Sequence, residues 1–210
     1  LFPAAATATH VVEFCNRISA TEKPITVACQ PMLGEPENEC FVIVPEHASC
    51  HGGEQIIGWA IWERPGVFIE AEFHAVWRNP LGEFLCLTPR PRSFEAITFL
   101  LDRNRKYHGR QVDNIRHALV KDMDVVRFLF LAKRRMEILN TGDLADQHGY
   151  ISLPKKLERE YFKVMKEMVR LEKGLPLATQ VIPQAEGFTM TMTSNPAAHR
   201  TLRDKAAQRR

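Results

Sequence analysis

The chain has 210 residues, 45% of them apolar and 25% charged. These are ordinary values for a folded domain, and they exclude wholesale disorder, collagen and a coiled-coil rod. Lys and Arg number 28 against 25 Asp and Glu, a net charge of +3, too balanced for the totals to mark nucleic acid or an anionic membrane as the partner.

The elements expected over residues 1–92 are those of an α+β core. Thr9 to Ser19 predicts a short helix with Val11, Val12, Phe14 and Ile18 on its apolar side. Pro24, Pro31, Gly34 and Pro36 interrupt the next stretch of chain, leaving Val27 to Cys29 as one short strand. Cys40 to Cys50, closed by His51-Gly52-Gly53, fits a helix whose first turn tolerates Pro45. Its run Phe41-Val42-Ile43-Val44 fits a strand equally well. Residues 54–88 read as a β-meander: Gln55 to Trp62, then Val67 to Trp77 after the Pro65-Gly66 turn, then Glu83 to Thr88. In the second strand Ile69, Ala71, Phe73, Ala75 and Trp77 share one face, and Glu70, Glu72 and His74 share the other. Glu70 and Glu72 are read as solvated strand carboxylates, and Trp59, Trp62 and Trp77 as core.

Residues 93–174 are expected to be helical and to pack on that core. Ser93 would cap a helix to Tyr107; Asp113 to Lys121 and Asp124 to Leu139 would come next. A last helix, beginning near Pro154, carries Leu157, Tyr161, Val164, Met165, Met168 and Leu171 on one side and stops at Gly174. Residues 175–210 lose periodicity and end in Arg200, Arg203, Lys205, Arg209 and Arg210, a mobile or partner-docked basic tail.

The five cysteines, Cys15, Cys29, Cys40, Cys50 and Cys86, include no CxxC pair, which points to a reduced, cytoplasmic protein without a finger-type zinc site. The chain opens at Leu1 without the basic start and long apolar stretch of a signal peptide. The apolar run Phe128 to Ala132 is far short of a membrane span. No cofactor and no membrane are expected.

The chemistry-bearing residues come together through a hairpin. With Arg78 to Gly82 as its loop, Trp77 lies opposite Glu83 and His74 opposite Cys86, on one face, with Glu72 two residues along. Cys40, at a helix start, would be favoured as a thiolate by the backbone N–H groups and the dipole there. A neighbouring imidazole completes an activated nucleophile. The same Cys40, His74 and Cys86 are also a conceivable zinc set.

Gly58-Trp59-Ala60-Ile61-Trp62-Glu63-Arg64-Pro65-Gly66 and Ile69-Glu70-Ala71-Glu72-Phe73-His74-Ala75-Val76-Trp77 resemble a family of bacterial proteins that share a GWxIWExPGxxIEAEFHAVW segment. Cys40, Val44 and His51-Gly52-Gly53 are similar to that family's Cys-to-HGG stretch, so the likeness spans roughly residues 38–89. More coarsely, the order Cys, then His-Ala-x-Trp, then a strand ending in Thr-Pro resembles the transglutaminase-like and NlpC/P60-like branch of papain-fold cysteine enzymes. That resemblance implies Cys40 as nucleophile and His74 as base, and the position of the orienting acid falls on Cys86. Glu72 is the substitute orienter, and Gln30, ten residues upstream of Cys40, a candidate oxyanion donor.

The function expected is therefore cysteine-dependent acyl transfer on a protein or peptide substrate, an amide or isopeptide hydrolysis. The alternative is a non-catalytic interaction module on the same scaffold. It would dock to a protein complex through the tail, or to nucleic acid through the basic stretch Arg103, Arg105, Lys106, His108, Arg110 and Arg116.

Overall fold

Two long strands organise the molecule, a computed structural model that describes residues 1–147 and 151–175. β1 is the short strand Phe2–Pro3, α1 the helix Thr9–Ile18, β2 the strand Ile25–Cys29 and α2 the helix Cys40–His51. β3 (Glu54–Arg64) and β4 (Phe68–Arg78) then pair antiparallel along their whole length, from Glu54 opposite Arg78 to Arg64 opposite Phe68. β5 (Phe84–Cys86), β6 (Ala96–Leu101) and β7 (Ile115–Ala118) complete a sheet of seven strands among the described residues.

The strand order is β1-β3-β6-β2-β5-β4-β7, and because β3 also pairs with β4, the five strands β3, β6, β2, β5 and β4 close into a ring. All neighbours within it are antiparallel except β2 and β5, which run parallel with Cys29 level with Cys86. β1 extends the edge beside β3, and β7 pairs with the start of β4. The interior of the ring is filled by alternate residues of its strands: Val27, Ala60, Trp62, Val76, Cys86, Ile97 and Phe99 form one buried cluster. The opposite faces of β3 and β4 bury Trp59, Ile61, Ile69, Ala71 and Phe73 against Val11, Phe14 and Cys15 of α1. β3 is thus covered on both sides, which is why it reads as a nearly unbroken apolar run, while β4 alternates. Gly58 is required here, since a Cβ on it would collide with the Leu100 carbonyl oxygen and the Phe99 ring of β6.

Two regions expected to be helical belong to the sheet. Ser93 to Tyr107 contains β6, and Asp113 to Lys121 contains β7. In β6, Ile97 and Phe99 face the ring interior while Leu100 packs on the α1 side. A strand apolar on both faces cannot be told from a buried helix by periodicity. The slot between β2 and β3 decides for the strand, supplying backbone partners on both of its edges. The α+β core therefore extends past residue 92 to the end of β7, and the helical part begins only with α3 (Met123–Leu139).

Asp122 caps α3, its carboxylate accepting from the N–H groups of Asp124 (2.7 Å) and Val125 (3.2 Å). A short 3-10 turn at Gly142–Asp146 leads on, and α4 (Lys155–Gly174) returns along α3. Leu131, Ala132 and Ile138 meet Val164, Met168 and Leu171 between the two helices. Val125 packs with Val67 and Phe68 and so joins this hairpin to β4. None of the helices among the described residues is long and apolar enough to cross a membrane. The basic tail expected over 175–210 lies, beyond Leu175, outside the described residues.

Candidate functional site

α2 resolves the ambiguity of Phe41 to Val44 in favour of a helix. Cys40, Ile43 and Val44 fall on one side and are buried, with Cys40 and Val44 against Ala75 of β4. The helix stops at Gly52 (φ 75°) and Gly53 (φ 81°), and a Cβ on Gly53 would collide with the Arg78 carbonyl oxygen. Pro45 is the sixth residue of α2, beyond the first turn expected for it. Cys40 and Phe41 head the helix, ahead of the first returned bonds from Val42 and Ile43 N–H to the Glu39 carbonyl (both 3.0 Å).

The segment between β2 and α2 carries Cys40 to the ring. Gln30 N–H donates to Cys86 O (2.9 Å), Met32 N–H to Leu87 O (2.9 Å) and Asn38 N–H to Pro89 O (3.1 Å). Residues 30–38 thus run beside the chain leaving β5. Asn38 takes a left-handed φ of 64° just before the helix, a conformation asparagine tolerates better than most residues. The geometry sets the start of α2 beside the end of β5.

The hairpin register differs from the expected one by two residues. Arg78 lies opposite Phe84 and Trp77 opposite Leu85, so the turn is Asn79 to Glu83. The cause is Asn79: its side-chain oxygen accepts from Leu81 and Glu83 N–H (both 2.9 Å), and its own N–H donates to Glu83 O (2.9 Å). Val76, not His74, is therefore level with Cys86. A slip of two preserves the face, because side chains alternate with period two. His74 and Cys86 still meet, diagonally, with His74 Nε2 3.3 Å from Cys86 Sγ.

His74 is the centre of the site. It is 1% exposed, its Nε2 is hydrogen-bonded to the Cys86 sulfur, and the Cys40 sulfur lies close enough to act on its charge. Burial opposes its positive charge, but the Cys40 and Cys86 sulfurs outweigh burial and carry its pKa up to about 10. Cys86 moves the other way. The adjacent Cys29 thiol favours its thiolate most; burial opposes this, and the His74 ring and the Thr88 backbone N–H add to it, so its thiol lies well below the ordinary range. The Cys29 thiol is pushed up by the adjacent Cys86 sulfur and by burial, against the pull of Arg90.

The other expected site residues fare differently. Glu72 does not orient His74: its carboxylate accepts from Trp62 Nε1 (2.6 Å) and from both Arg90 terminal nitrogens (3.0 and 3.2 Å). Glu70 and Glu72 are not solvated strand carboxylates either. They share His74's parity on β4 and so face into the closed ring, where Glu70 pairs with Arg116 (3.1 Å). The Gln30 side chain is exposed, and its backbone rather than its amide group touches the site, through Cys86 O. Cys29 is the member sequence reasoning missed. No local pattern announces it, because only the parallel pairing of β2 with β5 brings it to Cys86.

Cys40 and Cys86 are 3% and 1% exposed, so the three partners sit below the surface. Phe41 and Trp77 pack around Cys40, and Phe41 stacks on Tyr107 with ring centroids 4.0 Å apart. Among the described residues no group of three or more His, Cys, Asp and Glu is placed to hold a metal ion, so the zinc alternative finds no donor set. The basic stretch is largely answered within the fold, with Arg103 on Glu22 (2.7 Å), Arg110 on Asp146 (2.9 Å) and Arg116 on Asp113 (2.8 Å) as well as Glu70. Compared with family models, with curated proteins and with solved structures, the chain matches none.

Proposed function

We propose that the protein is a cysteine-dependent acyl-transfer enzyme that hydrolyses an amide or isopeptide bond in a protein or peptide. One observation carries the reading: a buried imidazole, hydrogen-bonded to Cys86 of the next strand at 3.3 Å, lies beside the sulfur of a cysteine at a helix start. The sequence order of the three, helix-start cysteine, strand histidine and third residue on the following strand, agrees with a papain-like or transglutaminase-like core. With Nε2 engaged by Cys86, Nδ1 is the nitrogen that serves Cys40.

In the reaction His74 takes the proton of Cys40. The Cys40 sulfur attacks the substrate carbonyl carbon, forming a C–S bond, while the helix-start N–H groups of Cys40 and Phe41 receive the developing oxyanion. His74 gives its proton to the leaving nitrogen as the C–N bond breaks. It then takes a proton from water, whose oxygen attacks the thioester; the C–S bond breaks and Cys40 leaves as thiolate beside a reprotonated ring. Cys86 orients the ring throughout and steadies it whenever it is protonated. Five free thiols suit a reducing compartment such as the cytoplasm.

The second reading, a non-catalytic module docking to a protein complex or nucleic acid, is favoured by one observation, the near-complete burial of Cys40, His74 and Cys86. Alkylation of the native protein by iodoacetamide, with sites mapped by mass spectrometry, separates the two. Cys50 is exposed and serves as the internal control. The enzyme reading expects Cys40 to react faster than Cys50 and to lose that advantage in His74→Ala. Reaction at Cys50 alone, with Cys40 reached only after denaturation, leaves the module.

A further inference from the structure

A carboxylate in the third position of such a site is an anion without assistance; a thiol, with an ordinary pKa of 9.0, is not. The surroundings of Cys86 compensate for this. Cys29 and Cys86 are level on neighbouring parallel strands, which lie about 5 Å apart, and both face the ring interior. Backbone bonds pin that register: Cys29 N–H donates to Glu95 O (2.8 Å) and Gln30 N–H to Cys86 O (2.9 Å).

We propose that Cys29 is a positioning residue: its thiol donates to the Cys86 sulfur and keeps Cys86 an anion that orients and sustains protonated His74. The inference rests on the cysteine-enzyme reading for its consequence in catalysis, though the anion itself depends only on the groups around Cys86. The Cys86 sulfur has the His74 ring at 3.3 Å and the Cys29 thiol level with it on the neighbouring strand, and the Thr88 backbone N–H also favours its charge. Hydrogen bonds to an ionised acceptor are the strong ones, and low local dielectric strengthens them further. Of the two thiols, Cys86 is the one set against the His74 ring, at 3.3 Å, which favours the negative charge there. Cys29 loses more by ionising beside an existing anion, and Cys86 gains from a charged ring that Cys29 does not touch. Two cysteines that merely filled space as small hydrophobes would need neither the matched register nor the backbone donor.

The test is a pH titration of thiolate far-ultraviolet absorbance on the full chain in a Cys40→Ala background. A thiolate signal is expected already at about pH 6, where an ordinary cysteine is protonated, and it is expected to vanish in Cys86→Ser. Cys29→Ala should raise its midpoint by about one pH unit, a tenfold weaker acid. Cys29→Ser, which retains a donor, should largely restore it. If the Ala variant does not fold, Cys29→Val removes the donor while filling the volume. A titration without thiolate below neutrality, or one indifferent to Cys29→Ala and Cys29→Val, overturns the proposal. The two readings fail separately. Loss of selective Cys40 alkylation with the thiolate signal retained removes catalysis and keeps the Cys29–Cys86 pairing. Selective alkylation without the signal removes the role of Cys29 and keeps the enzyme.

Discussion

The inner face of β4 meets burial in two ways. At one end Glu70 and Glu72 point into the ring and are matched by Arg116 and Arg90, with Arg90 also stacked over Trp62 at 4.5 Å. At the other end His74 is matched by sulfur: Cys40, Cys86 and, behind it, Cys29. Carboxylate and guanidinium carry fixed charges across physiological pH, so their pairing holds structure and nothing else moves. Imidazole and thiols have ordinary pKa values nearer neutrality, so at that end burial and mutual contact shift the protons themselves. Glu70 marks the cost of the first arrangement: burial raises its pKa, and Arg116 and Asn114 only partly offset the shift.

The contrast can be broken at its chemical end first. His74→Ala should slow alkylation of Cys40 by about a thousandfold while Cys50 is unchanged, read by timed labelling and mass spectrometry. Arg116→Met attacks the other end. It leaves a buried carboxylate without its cation and should cost about 3 kcal/mol in urea unfolding, yet alter Cys40 labelling less than about threefold. A labelling loss as large as that of His74→Ala would mean the two ends are one network. Cys86→Asp and Cys86→Ser sharpen the comparison: the aspartate, an anion, should keep the Cys40 rate within about threefold, whereas the neutral serine should lower it about tenfold.

The smallest effect is a pH signature of the thiol–imidazole end. His74 keeps its proton in the fold beyond its ordinary 6.5, so its contribution is full below 6.5 and is lost as pH rises through about 10. Cys86 has a depressed native value, so its contribution is full above its ordinary 9.0 and is lost as pH falls toward that native value. Between 6.5 and 9.0 the folded and unfolded states hold equal numbers of protons on the pair, and the two slopes cancel. Unfolding free energy should be flat across that window and fall on either side. A steady slope through it would show that the pair does not titrate together.

Much of the architecture was legible locally. The turn at Pro65-Gly66, the alternation of Phe68–Arg78 and the stop at Gly52-Gly53 are written in short stretches, and the structure keeps each of them. The shared face of His74 and Cys86 survived a register error because Asn79 moved the turn by an even number of residues. Apart from that turn, what failed depended on a neighbour remote in sequence. Ala96–Leu101 has no periodicity that separates strand from helix, and only the open edges of β2 and β3 make it a strand. Glu72 looked free to orient His74 because nothing local shows that Arg90 and Trp62 would claim it.

The sequence by itself determined an α+β chain with a strand bearing His74 and a stop at Gly52-Gly53, because turn residues and side-chain period act over a few residues; that the stretch from Cys40 is a helix was left to the structure. Closure of the ring was decided by the tertiary structure alone. Parallel pairing of β2 with β5 joins residues 57 apart in sequence and sets Cys29 beside Cys86. Such pairing leaves no local trace, because its hydrogen bonds are made by backbone that every residue carries alike and its benefit appears only when distant apolar faces meet.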